Sequence, residues 1–296
     1  MKAHPDCVPC LMRRVLFQSR LPGNGRERES VEAALGEYAR SLSWDANSAE
    51  LATLVHRASY SALGVSDPYA ELKARSDEAA LGLLGAAEGF IDSSGDRLAA
   101  AIRVSIAGNV MDFGSGIAMD DPDELAPAFE GLLAQGIEAD ETAEIGRLIE
   151  ASETVLYLFD NCGESVFDGL LIREIRRMGK RVACVAKGAP ILNDATVADI
   201  ERIGIEADAL LDTGGFAIGI DLRLAGPRLM GEIARAGVAV AKGMANLESL
   251  SDGGLGIPVA HLLRAKCAPV AHLLGVPVGA NAAVVRRPET SFKYDV

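Results

Sequence analysis

Asp160 and Asn161 stand at the end of a short apolar run, TVLYLF over residues 154–159, of the kind that forms a strand covered on both faces. Gly163 lets the chain turn sharply. An amphipathic stretch over residues 164–178 then reads as a helix whose basic residues, Arg173, Arg176 and Arg177, gather toward its C-terminus. A second run, RVACVAK at 181–187, is followed by a loop carrying Asp194. Asp160, Asn161 and Asp194 therefore offer three oxygen ligands from two strand ends, a set suited to a hexacoordinate divalent ion completed by water and substrate. Such an ion neutralises phosphate charge and activates water, and Lys187 or Lys242 could add a point charge on a phosphoryl group. The free N–H groups at the start of the 164–178 helix offer a phosphate a further contact. Spacing alone leaves a plainer reading equally open, in which Asp160-Asn161 is a polar turn and Asn193-Asp194 caps the helix after Thr196.

The elements that must position these groups alternate between strand and helix from residue 153 onward. Strands are expected at 154–159, 181–187, 209–212 and 238–241, with a final strand pair near 276–285. Helices are expected at 164–178, 196–204 and 227–236. That rhythm implies a parallel sheet, whose ligands bind outside the carboxyl ends of the strands. Asp160, Asn161, Asp194, Thr213 and Lys242 all lie at such ends and should converge. Residues before about 107 read as almost wholly helical, with Ser30 and Ser94 as expected N-caps and Ser66-Asp67-Pro68 as a helix start. The expected division is a helical N-terminal domain over 1–115 and an α/β/α sandwich with a mainly parallel, Rossmann-like sheet over 116–296.

Composition narrows the function. The 296 residues carry a formal charge of −13 and are 49% hydrophobic. So acidic a chain is a poor fit to nucleic acid or an anionic membrane. No apolar run of roughly 18 residues spans a bilayer and the N-terminus lacks a signal-peptide core, so a cytoplasmic enzyme is expected. Five cysteines, an odd number, read as reduced thiols or metal ligands.

Several segments appear in order along most of the chain: AGNVMDFG, DNCGESVFD, AKGAPILNDAT, AKGMANLESL and RAKCAPVA. Together they resemble the damage-control phosphatase family, a former domain of unknown function related to acidic-residue-methyltransferase-like proteins. The resemblance implies a helical domain against an α/β/α sandwich and metal-dependent hydrolysis of small phosphorylated metabolites, with Mg²⁺, Mn²⁺, Co²⁺ or Ni²⁺ as cofactor. By motif, it implies Asp160, Asn161 and Asp194 as metal ligands and places Asn109 and Asp112 beside the metal. Lys242, Asn246 and Glu248 match its Lys-Gly-x-x-Asn-x-Glu segment, and the loop from Thr213 matches more loosely. The expected catalytic set is Asp160, Asn109, Asp112 and Lys242, and the expected substrate contacts are Glu164, Lys187, Thr213, Asn246 and Glu248. Oligomeric state is not readable from these residues.

Cys7-Val8-Pro9-Cys10 has metal-ligand or redox spacing and opens a helix, but a pair is half of a structural zinc site. His4 and Cys267 are the candidates to complete a second metal site, and the branch of the family found in microbes often carries such a pair. Cys184 is expected in the core, Cys162 sits by the crevice, and His56, His261 and His272 have no evident partners. Glu164 and Asp168 share one helix face. Glu164 reads as a turn cap or an orienter of metal water, and Asp168 as structural. Cys162 stands where haloacid-dehalogenase phosphatases place their second aspartate, which argues against that chemistry. Two further alternatives are a non-catalytic metal- or nucleotide-binding module and a methyltransferase; the latter lacks a glutamate-ended second strand.

Overall fold

The computed structural model describes residues 1–114, 116, 119–251 and 253–289. Six helices come first: α1 (Cys7–Arg20), α2 (Glu27–Ser41), α3 (Ser48–Leu63), α4 (Ala70–Leu81), α5 (Leu84–Asp92) and α6 (Arg97–Gly108). Next come α7 (Leu125–Ala134), β1 (Ala139–Asp140), α8 (Thr142–Ala151), β2 (Thr154–Leu158), α9 (Glu164–Arg177) and β3 (Arg181–Ala186). The chain continues with α10 (Val197–Ile203), β4 (Ala209–Asp212), α11 (Pro227–Arg235), β5 (Val238–Lys242) and α12 (Gly243–Leu250). The last described elements are β6 (Val259–Arg264), α13 (Ala268–Leu274) and β7 (Asn281–Arg286).

The seven strands form one sheet in the order β1-β7-β6-β5-β2-β3-β4. Every pairing is parallel except β6 with β7. From β2 the chain steps outward to β3 and β4, then crosses back to β5 on the other side of β2. The strand order thus reverses between β2 and β5, where an open α/β sheet forms its ligand crevice. Asp160 follows β2 and Gly243 follows β5 at this point.

The period of two along β2 explains the layers. Val155, Tyr157 and Phe159 join the core that also takes residues of α4 to α9. Leu156 and Leu158 face the other way, into a smaller core with Leu229 and Ile233 of α11. The larger core runs from Tyr69 to Val285, so the helical half and the sheet share apolar packing. Helices α1 to α3 close on a core of their own around Val15, Ala34 and Val55. The expected domain boundary falls at residue 115, which lies outside the described residues.

Three local expectations differ. Of the final strand pair expected near 276–285, one strand, β7, falls there and the other does not. The pair is β6 with β7, with α13 between them. Pro277 and Gly279 hold residues 276–280 in a turn, where proline cannot donate to a ladder. Ser30 is buried inside α2, against Ser59 of α3, and does not cap it. The N-cap of α6 is Asp96, whose carboxylate accepts from the Ala99 N–H at 3.0 Å; Ser94 lies just before it.

Candidate active site

Two loops are knitted together by the backbone. Cys162 N–H donates to Asn193 O at 2.9 Å, and Ala195 N–H donates to Asp160 O at 2.8 Å. These bonds pin Asp160 and Asn161, after β2, against Asp194, after β3. Helix α10 is capped by Thr196 and Asp199 in a reciprocal box, so Asp194 is not needed as its cap. Leu192, in the same loop, has φ of 49°, the positive region that few side chains adopt. Its N–H donates to the Tyr60 hydroxyl at 2.8 Å, which helps hold that conformation.

Behind the carboxylates lies a second polar layer. Asn109 at the end of α6 donates to Glu164 Oε2 at 2.7 Å and to Asp160 Oδ2 at 3.3 Å. Asn161 donates to the same two oxygens at 3.0 and 2.8 Å. Both amides therefore aim Asp160. Asn109 is itself fixed, because its Oδ1 accepts from Arg264 N–H at 3.0 Å. Gly243 allows the approach from the other side: with φ of 73°, a Cβ there would stand 1.8 Å from Asp160 Oδ2.

Lys242 is wholly buried, with its ammonium 2.5 Å from Glu164 and 3.0 Å from Asp168. Burial works against the lysine charge, but Asp168 and Glu164 outweigh it and raise its pKa. Burial pushes the Asp168 carboxyl up to about 6, with Lys242 opposing. Lys242 thus anchors α9 from below and does not border the cavity. Asn246 also works from behind, donating to Phe159 O at 3.1 Å and Lys242 O at 2.8 Å.

The cavity in front of this layer measures about 110 Å³. Of the residues singled out in the sequence, Asp160, Asn161, Asp194, Asp112, Glu248, His56, Cys7, Cys10 and Cys267 line it. Asn109, Glu164, Lys242, Lys187 and Asn246 stand outside its wall. Lys187 is 3.3 Å from Asp194 Oδ2 and also donates to Gly219 O. Thr213 is turned to a different task, accepting from Gly188 N–H at 3.1 Å. The start of α9 offers no vacant anion site at Gly163, whose N–H donates at 2.6 Å to the protein's own Asp77.

Arg14 and Lys266, which carried no role in the sequence reading, also line the cavity. Arg14 meets Asp112 at 2.6 Å and Lys266 meets it at 3.1 Å. Burial works to raise the Asp112 carboxyl, but Arg14 and Lys266 outweigh it and hold it well below the usual carboxylate range. Asp160 shows the opposite. Burial, then the charges of Glu164 and Asp194, push its carboxyl well above that range, with Lys266 and Lys187 opposing. Burial likewise raises Asp194. Asp194 Oδ2 accepts no hydrogen bond despite Lys187 nearby. Two buried carboxylates that raise each other's cost of ionisation, one with an oxygen lacking a hydrogen bond, fit a divalent cation between them.

Comparison with known proteins points the same way. Residues 3–282 match the damage-control phosphatase ARMT1-like domain. A damage-control phosphatase of Archaeoglobus fulgidus is 39% identical over 289 residues, covering 96% of this chain and 99% of that one. A second, from Pyrococcus horikoshii, is 32% identical over 285 residues, with 95% and 96% covered. The crystal structure of a DUF89 family protein from Pyrococcus horikoshii superposes with a TM-score of 0.85 at 30% identity, covering 98% of this chain and all of that one.

Proposed function

Because this chain belongs to the damage-control phosphatase family and is a phosphatase of that metabolite-repair class, we propose that its cavity binds one divalent cation and hydrolyses a phosphoric monoester of a small metabolite there. Asp160, Asn161 and Asp194 hold the cation. When bound, it supplies charge neutralisation to the phosphoryl group and lowers the pKa of water. Both amide donors converge on Asp160 Oδ2 and fix the orientation of the carboxylate that would hold the ion. Lys266 and Arg14 then face the anionic substrate from the Asp112 side and stabilise charge on the transferring group. Asn109, Glu164 and Lys242 act as positioning residues that keep Asp160 and α9 in register. The family membership, with two cationic side chains beside the oxygen ligands, favours phosphatase chemistry over the methyltransferase and the non-catalytic metal- or nucleotide-binding alternatives.

The observation that carries this reading is the meeting of three buried oxygen ligands and two cationic side chains in one cavity. Mg²⁺, Mn²⁺, Co²⁺ and Ni²⁺ are the expected ions, and a phosphorylated metabolite panel run with each in turn is the test. Activity should vanish on chelation and return with at least one of the four. Turnover that persists after complete chelation would remove the metal from the proposal. Among the described residues no helix is long and apolar enough to cross a membrane.

A further inference from the structure

The five cysteines fall into two groups. Cys162 and Cys184 are wholly buried, and their environment is packing. Cys7, Cys10 and Cys267 are half-buried, and all three line the catalytic cavity. They arrive from opposite ends of the chain. Cys7 and Cys10 occupy the first turn of α1, three residues apart and so on one face. Cys267 is the N-cap residue of α13, on the turn that leaves β6 and also carries Lys266. None is in a disulfide. Three thiols from opposite ends of the chain thus share the wall of one cavity.

We propose that Cys7, Cys10 and Cys267 form a second cation site, soft where the first is hard, that takes one thiophilic ion of the Zn²⁺ kind, with the Glu248 carboxylate as fourth donor. Three sulfurs and one oxygen make a complete tetrahedral set for zinc and a poor one for Mg²⁺ or Mn²⁺. Of the two candidates to complete the cysteine pair, the fold selects Cys267; His4 does not border the cavity and pairs with Asp6 at 3.5 Å. Glu248 borders it from α12, with Oε2 accepting from Ser48 at 2.8 Å. Its charge acts on both the Cys7 and the Cys267 thiols. Burial pushes these thiols up to about 11 and about 12, so at neutral pH they are protonated and release protons as metal–sulfur bonds form. Among the described residues no three side chains of ligating type are already gathered into a coordinating set. The thiols must therefore close on the ion, and binding should tighten the first turn of α1 against α13.

Cobalt(II) is the probe. The reduced, metal-free full-length chain is titrated with it while the sulfur-to-cobalt charge-transfer band is followed. The expected result is one equivalent of thiolate-bound cobalt, displaced by zinc, with Cys7, Cys10 and Cys267 protected from alkylation in the mass spectrum. Cys267→Ser should weaken this binding at least about tenfold. Cys184→Ala and Asp160→Asn should leave the band intact, which separates this site from the oxygen site and from the phosphatase reading. The absence of a band in wild type would overturn the proposal. So would a band that Cys267→Ser leaves unchanged, or one that Asp160→Asn removes. If Cys7→Ser or Cys10→Ser fails to fold, the alkylation pattern of wild type still decides.

Discussion

One cavity has two unlike walls. The floor, from the loops after β2 and β3, is rigid by construction: backbone bonds cross between the loops, two asparagine amides converge on one carboxylate oxygen, and a buried lysine anchors the helix behind. The other wall, from the first turns of α1 and α13, presents three thiols. Arg14 and Lys266 tie it to Asp112. The difference shows that a hard site is preorganised through a second polar layer.

The largest expected effect is on the anchor. Lys242→Met leaves the Glu164 and Asp168 carboxylates wholly buried without their shared cation. Breaking a buried pair this way costs about 3–5 kcal/mol. Urea denaturation should show that loss, with the remaining folded fraction inactive. A variant as stable as wild type would mean that the floor does not depend on its second layer.

Asp160→Asn should do the reverse, sparing the fold and removing the activity. The loss of one well-placed electrostatic group costs about 10²–10³-fold in rate, and a lost cation costs more. Stability in metal-free buffer should hold or rise, because Asp160 faces the charges of Glu164 and Asp194. Steady-state hydrolysis of an aryl phosphate across a metal titration, with melting curves alongside, reads both. Near-normal turnover at saturating metal would move the chemistry away from the floor.

The floor was also the legible part of the molecule. Strands β2, β3, β4 and β5 announce themselves as apolar runs, and oxygen-bearing residues at their ends need only the rule of the parallel sheet to be brought together. The thiol wall and its cations were harder to read. Lys266 and Cys267 follow β6, a strand that contains His261 and Arg264 and so interrupts the apolar pattern. With β6 misplaced to 276–285, its exit loop could not be placed at the cavity. Arg14 lies one helical turn beyond Cys10, and no sequence period says that this face of α1 meets Asp112 nearly a hundred residues on. The two-residue β1 is too short to show any pattern.

Gly243→Ala is the next step down. Its φ of 73° suits glycine, and the added methyl would fall 1.8 Å from Asp160 Oδ2. The backbone strain is about 1–3 kcal/mol, and relief requires Asp160 to move. The expected outcome is a modest drop in melting temperature with a larger drop in kcat. Cys184→Ala, a comparable change in a core strand, should cost stability without that drop in kcat. If both variants lose kcat in proportion to stability, the close approach of Gly243 does not position Asp160.

The smallest effect compares the two walls under acid. His56 of α3 borders the cavity beside Arg14 and bonds Gln18 at 2.8 Å. Burial, then Arg14, lowers its pKa to about 3, against about 6.5 when unfolded. Between those values the unfolded chain holds a proton that the folded chain does not. Stability from this residue is therefore complete above pH 6.5 and falls as the pH drops toward 3. At 1.36 kcal/mol per unit, the loss from pH 7 to 5.5 is about 1 kcal/mol. The floor carries the opposite sign. The Asp160 and Asp194 pKa values are raised on folding, so in metal-free protein acid favours their folded, protonated forms. Urea midpoints at both pH values, for wild type and His56→Gln, separate the two. The variant should lose stability at both pH values but lose about 1 kcal/mol less than wild type on acidification. Equal losses would mean that His56 is as easily protonated in the folded chain as in the unfolded one.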